Sequence, residues 1–589
     1  MEVPTDSPIV HDGILLEKEQ LMNKDKDDRL TNWRLIITAA VVSCLNAVEN
    51  SVLGIGEWPY MREIDPNATA QFFGLATSAS KCGHAVFALI FSIWSYKTSS
   101  VKIPLIASRL IAIAACMIYL TIEYVKTDKR YVLMAVYTLL GIANSGGTVL
   151  RGYVTLCSSN EDRPRAFAAL GLSFIFSIIV GPTIQLIFSA IPYPGYEIIP
   201  GIWFHLYSAP IWISFILTIL TVFVILILIE DISREKKTKL RPSESQSSFS
   251  MERWRSLYEK LKKSNLDWKL IVVCFFVRMA VSFSHSTLST IGSILYMVMF
   301  GWDGATTVRV GSITMVIFGV MSSTILLLYI FCHFGKILPQ HKVFLFFTIA
   351  FGAVYIITYP FEFTSNPVAK YNETTRAGCN PEEYSWCSTA LAVNPMLYLS
   401  VTILVAGMSI PIMSTALDTV YSRILGNIDQ SVAHGAMAVI DDILYMITPI
   451  FTTTMFTLYG IGPLWIVKSM AFGIIALTVL VSGQKFKAVF KSIFITATLV
   501  IIGWTVTCIS NTFVVLFVLY GKQIVNMYAG IPVNIACASN IFVFYRINLD
   551  YRSGIRKIFP CKTTTVGSIH VHIERNASIT TPGHSPNTN

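Results

Sequence analysis

Charged and titratable side chains stand where the chain is otherwise apolar: Glu49, Lys81, His84, Arg151, Arg278, His285, Asp418, Asp441 and Asp442 each interrupt a run of aliphatic and aromatic residues. An ionised group at the centre of a membrane helix costs about 2.5–3.5 kcal/mol on insertion scales, so each requires a partner or water. The chemistry open to such residues is the binding and movement of ions, protons or polar solutes. Lys81 and His84 are three residues apart and share a helical face; pairing of Glu49 with Lys81 would offset part of the cost of burying both. Arg278 and His285, seven residues apart, lie within about 20° on one face, and both are expected to project into one aqueous path. His84 and His285 carry the side chain that titrates nearest neutral pH, which would make that path pH-dependent; the alternative is hydrogen-bonded packing. Bond-making chemistry has no counterpart. The sequence has no phosphate loop, no Cys-x-x-Cys and no His-Glu-x-x-His, so no cofactor, metal or enzymatic activity is expected.

The elements that must hold these groups are twelve apolar stretches, at 34–57, 70–94, 103–122, 131–155, 166–190, 207–229, 269–299, 310–332, 343–361, 395–421, 433–458 and 462–483. About 20 residues of helix cross a bilayer core of about 30 Å, and a helix satisfies its own backbone polar groups on the way. A chain that is 53% hydrophobic and 14% charged would be insoluble without lipid around it, which excludes a soluble enzyme. The net charge of +10 resides mostly in loops, where it sets topology rather than binding nucleic acid. The expected fold class is an all-α membrane protein with a cytosolic tail at 1–33, six-helix bundles at 34–229 and 269–483, and a charged cytosolic linker at 230–268. Met1–Leu30 is polar and acid-rich with no secretory leader pattern, so the first span is expected to be the insertion signal.

With the amino terminus in the cytosol, Lys97, Lys102, Arg163, Arg165, Lys336, Lys342 and the run Arg234–Lys239 all fall on the cytosolic side, as the positive-inside rule requires. Lys126, Lys129 and Arg130 are exceptions. The large non-cytosolic loop 362–394 carries the glycosylation acceptor Asn372-Glu373-Thr374, and Asn67-Ala68-Thr69 lies on the same side. Cys379 and Cys387 share that loop and are expected either to close a small disulfide or to remain free thiols. Span directions place Arg151, Arg278, Asp418, Asp441 and Asp442 toward the cytosolic side. They are expected to form an inner gate in which the arginines alternate between these carboxylates and a solute; the alternative is static packing with snorkelling.

Two six-span halves joined by a cytosolic linker resemble the major facilitator superfamily, whose halves rock about a midplane cavity. Trp58-Pro59-Tyr60 with Ile64-Asp65-Pro66, Phe91-Ser92-Ile93-Trp94-Ser95, Leu140-Gly141-Ile142, Arg151-Gly152-Tyr153 and Arg163-Pro164-Arg165-Ala166 are similar to its lysosomal, ceroid-lipofuscinosis-associated branch, domain-containing protein 8, over about 33–483. That resemblance implies an endolysosomal transporter of a small solute or anion such as chloride. It also implies a cavity lined by spans 1, 4, 7 and 10, with Arg109 and Lys468 on peripheral helices, where they would serve assembly or snorkel, and a kink at Gly181-Pro182. The chain departs from the superfamily pattern at Ser92, at Tyr137 in place of an arginine, and at Gln185 in place of a glycine; these departures would also suit a transport-inactive scaffold.

Glu17-Lys18-Glu19-Gln20-Leu21-Met22, with Asp12–Leu16 nearby, resembles an acidic dileucine signal that would engage sorting adaptors; the alternative is a solvated tail. Beyond span 12, apolar runs at 491–519 and 531–545 predict two additional C-terminal transmembrane helices (484–545) and a cytosolic tail (546–589). Residues 484–563 resemble the end of a nematode-type serpentine chemoreceptor, which implies a fusion of two gene models or a fourteen-span protein. A receptor reading would need seven spans and an extracellular amino terminus, against the six-plus-six layout. The partners expected are membrane lipid and a small-molecule or ion substrate.

Overall fold

The computed structural model describes residues 31–98, 100–158, 162–231, 268–331, 340–425 and 430–481. Among the described residues ten helices are long and apolar enough to cross a membrane, and two shorter apolar helices, Lys342–Ile357 and Ile461–Leu477, stand at the ninth and twelfth places. Large apolar side chains such as Leu89, Phe176, Ile216, Ile227 and Met470 face outward, as lipid contact requires. The sorting residues Glu17, Leu21 and Met22 and the two C-terminal apolar runs lie outside the described residues.

Span 1 (Trp33–Leu53) starts at Asn32, whose side chain accepts from the Leu35 amide. It breaks at Gly54–Gly56 and resumes as a short helix, Glu57–Ile64. Gly54 has a positive φ of 26°, a backbone region where a side chain is strained. Spans 2 to 6 are Ala70–Thr98, Lys102–Leu120, the pair Lys129–Asn144 and Gly146–Cys157, Arg163–Phe188, and Ala209–Leu228. Spans 7 to 12 are Trp268–Val298, Gly304–Phe331, Gln340–Ile357, Pro395–Leu425, Gln430–Tyr459 and Ile461–Val481. Span 8 begins six residues before its expected start because Gly304–Arg309 joins the helix, and span 9 stops at Ile357 rather than 361.

Within the first half span 1 packs on spans 5 and 6, span 2 on span 4, and span 3 on spans 4 and 6; within the second, span 7 packs on span 11 and span 9 on spans 10 and 12. The halves meet along span 2 against span 11 and span 5 against span 8. Small residues permit the close approaches: a Cβ on Gly141 would overlap the Ser80 carbonyl oxygen, and one on Gly74 would lie 2.8 Å from that of Pro449. Span 10 contains a π-helical turn, Thr402–Ala406, and Pro411. Proline leaves the carbonyl four residues earlier without its donor, and Ser322 of span 8 donates to that Gly407 oxygen at 2.8 Å.

The outer face, away from the cytosol in the expected orientation, is capped. A hairpin of Tyr196–Ile199 with Ile202–Phe204 covers one part. The long loop covers another, with Ser365–Pro367 paired to Leu391–Val393 and a disulfide between Cys379 and Cys387. Trp386 anchors that loop by donating to the Phe456 and Thr457 carbonyls at 3.0 and 3.1 Å, and the Gly378 amide donates to Met297 at 2.8 Å. At the start of span 3, Asp231 accepts from the Ser100 hydroxyl at 2.7 Å and from the Val101 and Lys102 amides at 2.7 and 3.1 Å. The capping carboxylate thus comes from beyond span 6 instead of from the span 2–3 loop.

Candidate functional site

A cavity of about 940 Å³ opens between the halves. Its floor and walls come from spans 1, 2, 4 and 5 on one side and spans 7, 10 and 11 on the other. Seven of the charged or titratable groups expected from sequence line it: Lys81, His84, Arg151, Arg278, Asp418, Asp441 and Asp442. Polar side chains fill in between them, notably Asn50, which accepts from Asn144 Nδ2 at 2.7 Å.

Arg278 clasps Asp441. Its Nε lies 3.0 and 2.9 Å from the two carboxylate oxygens and its Nη2 lies 2.6 Å from Oδ2. This two-pronged geometry is the strong form of the arginine–carboxylate pair. Ser282 adds a hydroxyl donor to the same carboxylate, and Arg278 Nη1 donates to Ser414 Oγ at 3.2 Å. Asp418 lies 3.7 Å from the same guanidinium with its side chain 48% exposed. Arg151 is exposed in the cavity wall. Among the described residues no ion pair to Arg151, Lys81 or Asp442 falls within 4 Å.

Several expectations are corrected. Glu49 does not pair with Lys81 and does not line the cavity. Its carboxylate meets Arg109 Nη1 at 2.7 Å, with both side chains 3% exposed. Arg109 also donates to the Ala143 carbonyl at 2.6 Å, so of the two roles open to it, assembly or snorkelling, it takes the first, as a buried tie between spans 1, 3 and 4. Lys81, one span over, turns into the cavity because span 2 packs against span 4 through Gly141 and presents its other face to the gap between the halves. Lys468 is likewise buried, its ammonium 4.9 Å from the centre of the Tyr355 ring and 5.2 Å from that of Phe283, an aromatic enclosure that favours a cation. His285 does not share the aqueous path with Arg278: two turns further along span 7 it meets the Tyr445 hydroxyl at 3.5 Å.

The outer ends of the halves are joined. Arg62 pairs with Glu383 at 2.9 Å across 321 positions of sequence. Arg376 donates to the Arg62 carbonyl at 3.1 Å and to that of Glu63. Below them, Gln185 donates to the Leu53 carbonyl at 3.2 Å and accepts from Ser312 at 3.5 Å, and Gly304 approaches the Tyr207 hydroxyl so closely that a Cβ would overlap it. Tyr137 donates to the Glu57 carbonyl at 3.4 Å. The positions where the sequence departs from the superfamily pattern, Tyr137 and Gln185, are therefore buried contacts at the closed end. The cavity is reached from the other end, the cytosolic one in the expected orientation.

Arg62, Glu383 and Arg376 carried no usable sequence signal, and Gln185 stood out only as a departure from the superfamily pattern. Two of the three exceptions to the positive-inside bias have acidic neighbours: Lys129 lies 3.7 Å from Glu123, and Arg130 lies 3.9 Å from Asp65 while donating to the Asn67 carbonyl at 2.6 Å. Near them His205 is enclosed by Tyr60, Tyr193 and Tyr207, and its Nδ1 accepts from the Tyr207 and Ser208 amides at 3.2 and 3.3 Å. Burial pushes the imidazole down to about 4, outweighing the Glu123 carboxylate 3.8 Å from Nε2. Asn67 and Asn372 are exposed on this face, and Pro182 sits inside the span 5 helix. Among the described residues no group of three or more His, Cys, Asp or Glu is placed to hold a metal ion.

Residues 39–449 match the family model for the Major Facilitator Superfamily. The chain belongs to the major facilitator superfamily. Among this facilitator's relatives is the Xenopus laevis protein named Major facilitator superfamily domain-containing protein 8, 23% identical over 508 residues that span 82% of this chain and 94% of the relative. A D-xylose–proton symporter shares the fold, with a TM-score of 0.52 at 10% identity over 78% of this chain and 98% of the symporter. The nucleoside transporter NupG aligns at 13% identity with a TM-score of 0.49, over 77% of this chain and 99% of NupG. Residues 388–559 also match a serpentine type 7TM GPCR chemoreceptor family, Srsx. That match starts upstream of the expected 484 and overlaps the facilitator match, and in the structure its first part forms spans 10 to 12 of the facilitator bundle.

Proposed function

We propose that this facilitator carries a small polar solute across an endolysosomal membrane by alternating access, with 34–229 and 269–483 as the moving halves and 230–268 as the cytosolic linker. One observation carries the reading: a charged cavity of about 940 Å³ open at one end, which we assign to the cytosol, while Arg62, Glu383, Arg376 and Gln185 close the other. A cavity of that size fits a small organic molecule. In the opposite state the outer contacts part and the inner walls meet, bringing Arg151 against Asp418 as the inner gate. Glu49 and His285 act from outside the cavity, Glu49 by holding Arg109 and His285 through Tyr445. Kinking at Gly181-Pro182 lets span 5 bend as the halves rock.

The endolysosomal location rests on resemblance to the domain-containing protein 8 branch, on the dileucine-like Glu17–Met22 and on the exposed acceptors Asn67 and Asn372 of the outer face. Residues 484–545 are assigned as two further spans and 546–589 as a cytosolic tail. The packing of spans 10 to 12 into the facilitator bundle speaks against a receptor. A second reading, a chloride leak through the same cavity, is favoured by Lys81, His84 and Arg151 on one wall. Recording from enlarged lysosomes with and without the protein, under set chloride and proton gradients, tests both. Coupled uptake without a standing conductance supports the carrier, a chloride conductance supports the leak, and the absence of both overturns the transport assignment.

A further inference from the structure

The cavity walls carry opposite charge. On the first half the charged lining residues are Lys81 of span 2 and Arg151 of span 4, with His84 beside them; on the second they are Arg278 of span 7, Asp418 of span 10, and Asp441 and Asp442 of span 11. Arg278 is clasped by Asp441 at 2.6–3.0 Å and so is spent within its own wall. Two cations on one side face three aspartates and one arginine on the other, formally +2 against −2. Charges held on low-dielectric walls focus a field across the gap between them.

Resting on the transport reading above, we infer that the solute is a zwitterion: a molecule with an ammonium-type cation and an acidic group, its anion toward Lys81 and Arg151 and its cation toward Asp442. The reason lies in what closure requires. When the halves close over the solute, water leaves, and an ionised group left without a partner costs several kcal/mol. A monovalent anion such as chloride satisfies the first wall and leaves the carboxylates of the second facing a drying gap. A cation does the reverse. A dipolar solute satisfies both walls and draws them together, so its binding favours the movement that carries it. The volume, about thirty times the share of one water molecule, accommodates an amino acid, a small peptide or a zwitterionic lipid headgroup with room for retained water.

The test uses purified full-length protein in liposomes and counterflow of labelled probes: a neutral amino acid and a dipeptide, glycerophosphocholine as the free form of a lipid headgroup, amidated and N-acetylated analogues with one charge removed, and chloride. At least one zwitterion is expected to exchange about tenfold or more faster than its singly charged analogues, and which probe it is separates amino-acid from headgroup chemistry. D442N is expected to shift preference toward the N-acetylated analogue, and K81Q or R151Q toward the amidated one. These reciprocal changes of selectivity are not produced by poor folding, which lowers every flux together. Chloride or single anions moving as fast as every zwitterion, with no reordering in D442N, would overturn the dipolar inference and leave transport standing. Absence of any flux, chloride included, would overturn the transport reading and this inference with it.

Discussion

Substituting Arg109 by Met isolates the Glu49–Arg109 pair. Both side chains are 3% exposed and the contact is 2.7 Å, so the variant leaves Glu49 ionised in a dry interior, or forces it to take up a proton. It also leaves the Ala143 carbonyl without the donor that stands at 2.6 Å. Removing one member of a buried ion pair costs about 3–5 kcal/mol. At about 2–4 °C per kcal/mol for a unit of 150–250 residues, the apparent melting temperature falls by about 6–20 °C. Thermal unfolding of detergent-purified protein, read by fluorescence size exclusion, gives the number. The double variant E49Q/R109M, with no stranded charge, is expected to recover more than half of the loss, as replacement of a buried pair by neutral groups costs much less than breaking it. An R109M protein as stable as wild type would refute the reasoning, because it would mean that water reaches Glu49 and that the pair is not a buried tie.

At the outer face, E383Q removes the charge that holds Arg62 at 2.9 Å; the population is expected to shift toward outward-open forms, with faster labelling of a cysteine placed at Asn50 from the non-cytosolic side and slower labelling from the cytosol. His205 has its imidazole pushed down to about 4 by burial, against about 6.5 when exposed. Its contribution to stability is therefore complete above pH 6.5 and is lost as pH falls toward 4, about 2 kcal/mol by pH 5, and H205N is expected to flatten the fall in melting temperature between pH 6.5 and 4.5. Gly141→Val would drive side-chain atoms into the Ser80 carbonyl, which already stands where a Cβ would lie; the resulting parting of spans 2 and 4 costs about 1–3 kcal/mol and is expected to lower stability and flux together.

The span order was legible because an apolar run of about 20 residues has few uses other than crossing a membrane, and the charges inside those runs were legible as exceptions to them. Their partners were not. Helical spacing puts Lys81 and His84 on one face, but it does not say which neighbouring helix that face meets. Glu49 therefore found Arg109, sixty positions away, because span 3 packs beside span 4 and its arginine is long enough to reach across. Arg278 and His285 share a helical face yet differ in depth by two turns, and only the first reaches the cavity. The outer latch is the least legible part: Arg62 and Glu383 lie at the edge of a short helix and in an irregular loop, where no periodicity constrains which side chains meet.

Alternating access is tested most directly by tying the closed end shut. Gln185 and Ser312, on spans 5 and 8, touch at 3.5 Å across the two halves. With Q185C/S312C joined by a short thiosulfonate cross-linker in reconstituted vesicles, solute flux is expected to stop and to return when the linker is reduced, while each single variant treated alike keeps its flux. Undiminished flux through the cross-linked protein would contradict the account, since the solute would then pass without the outer end ever opening.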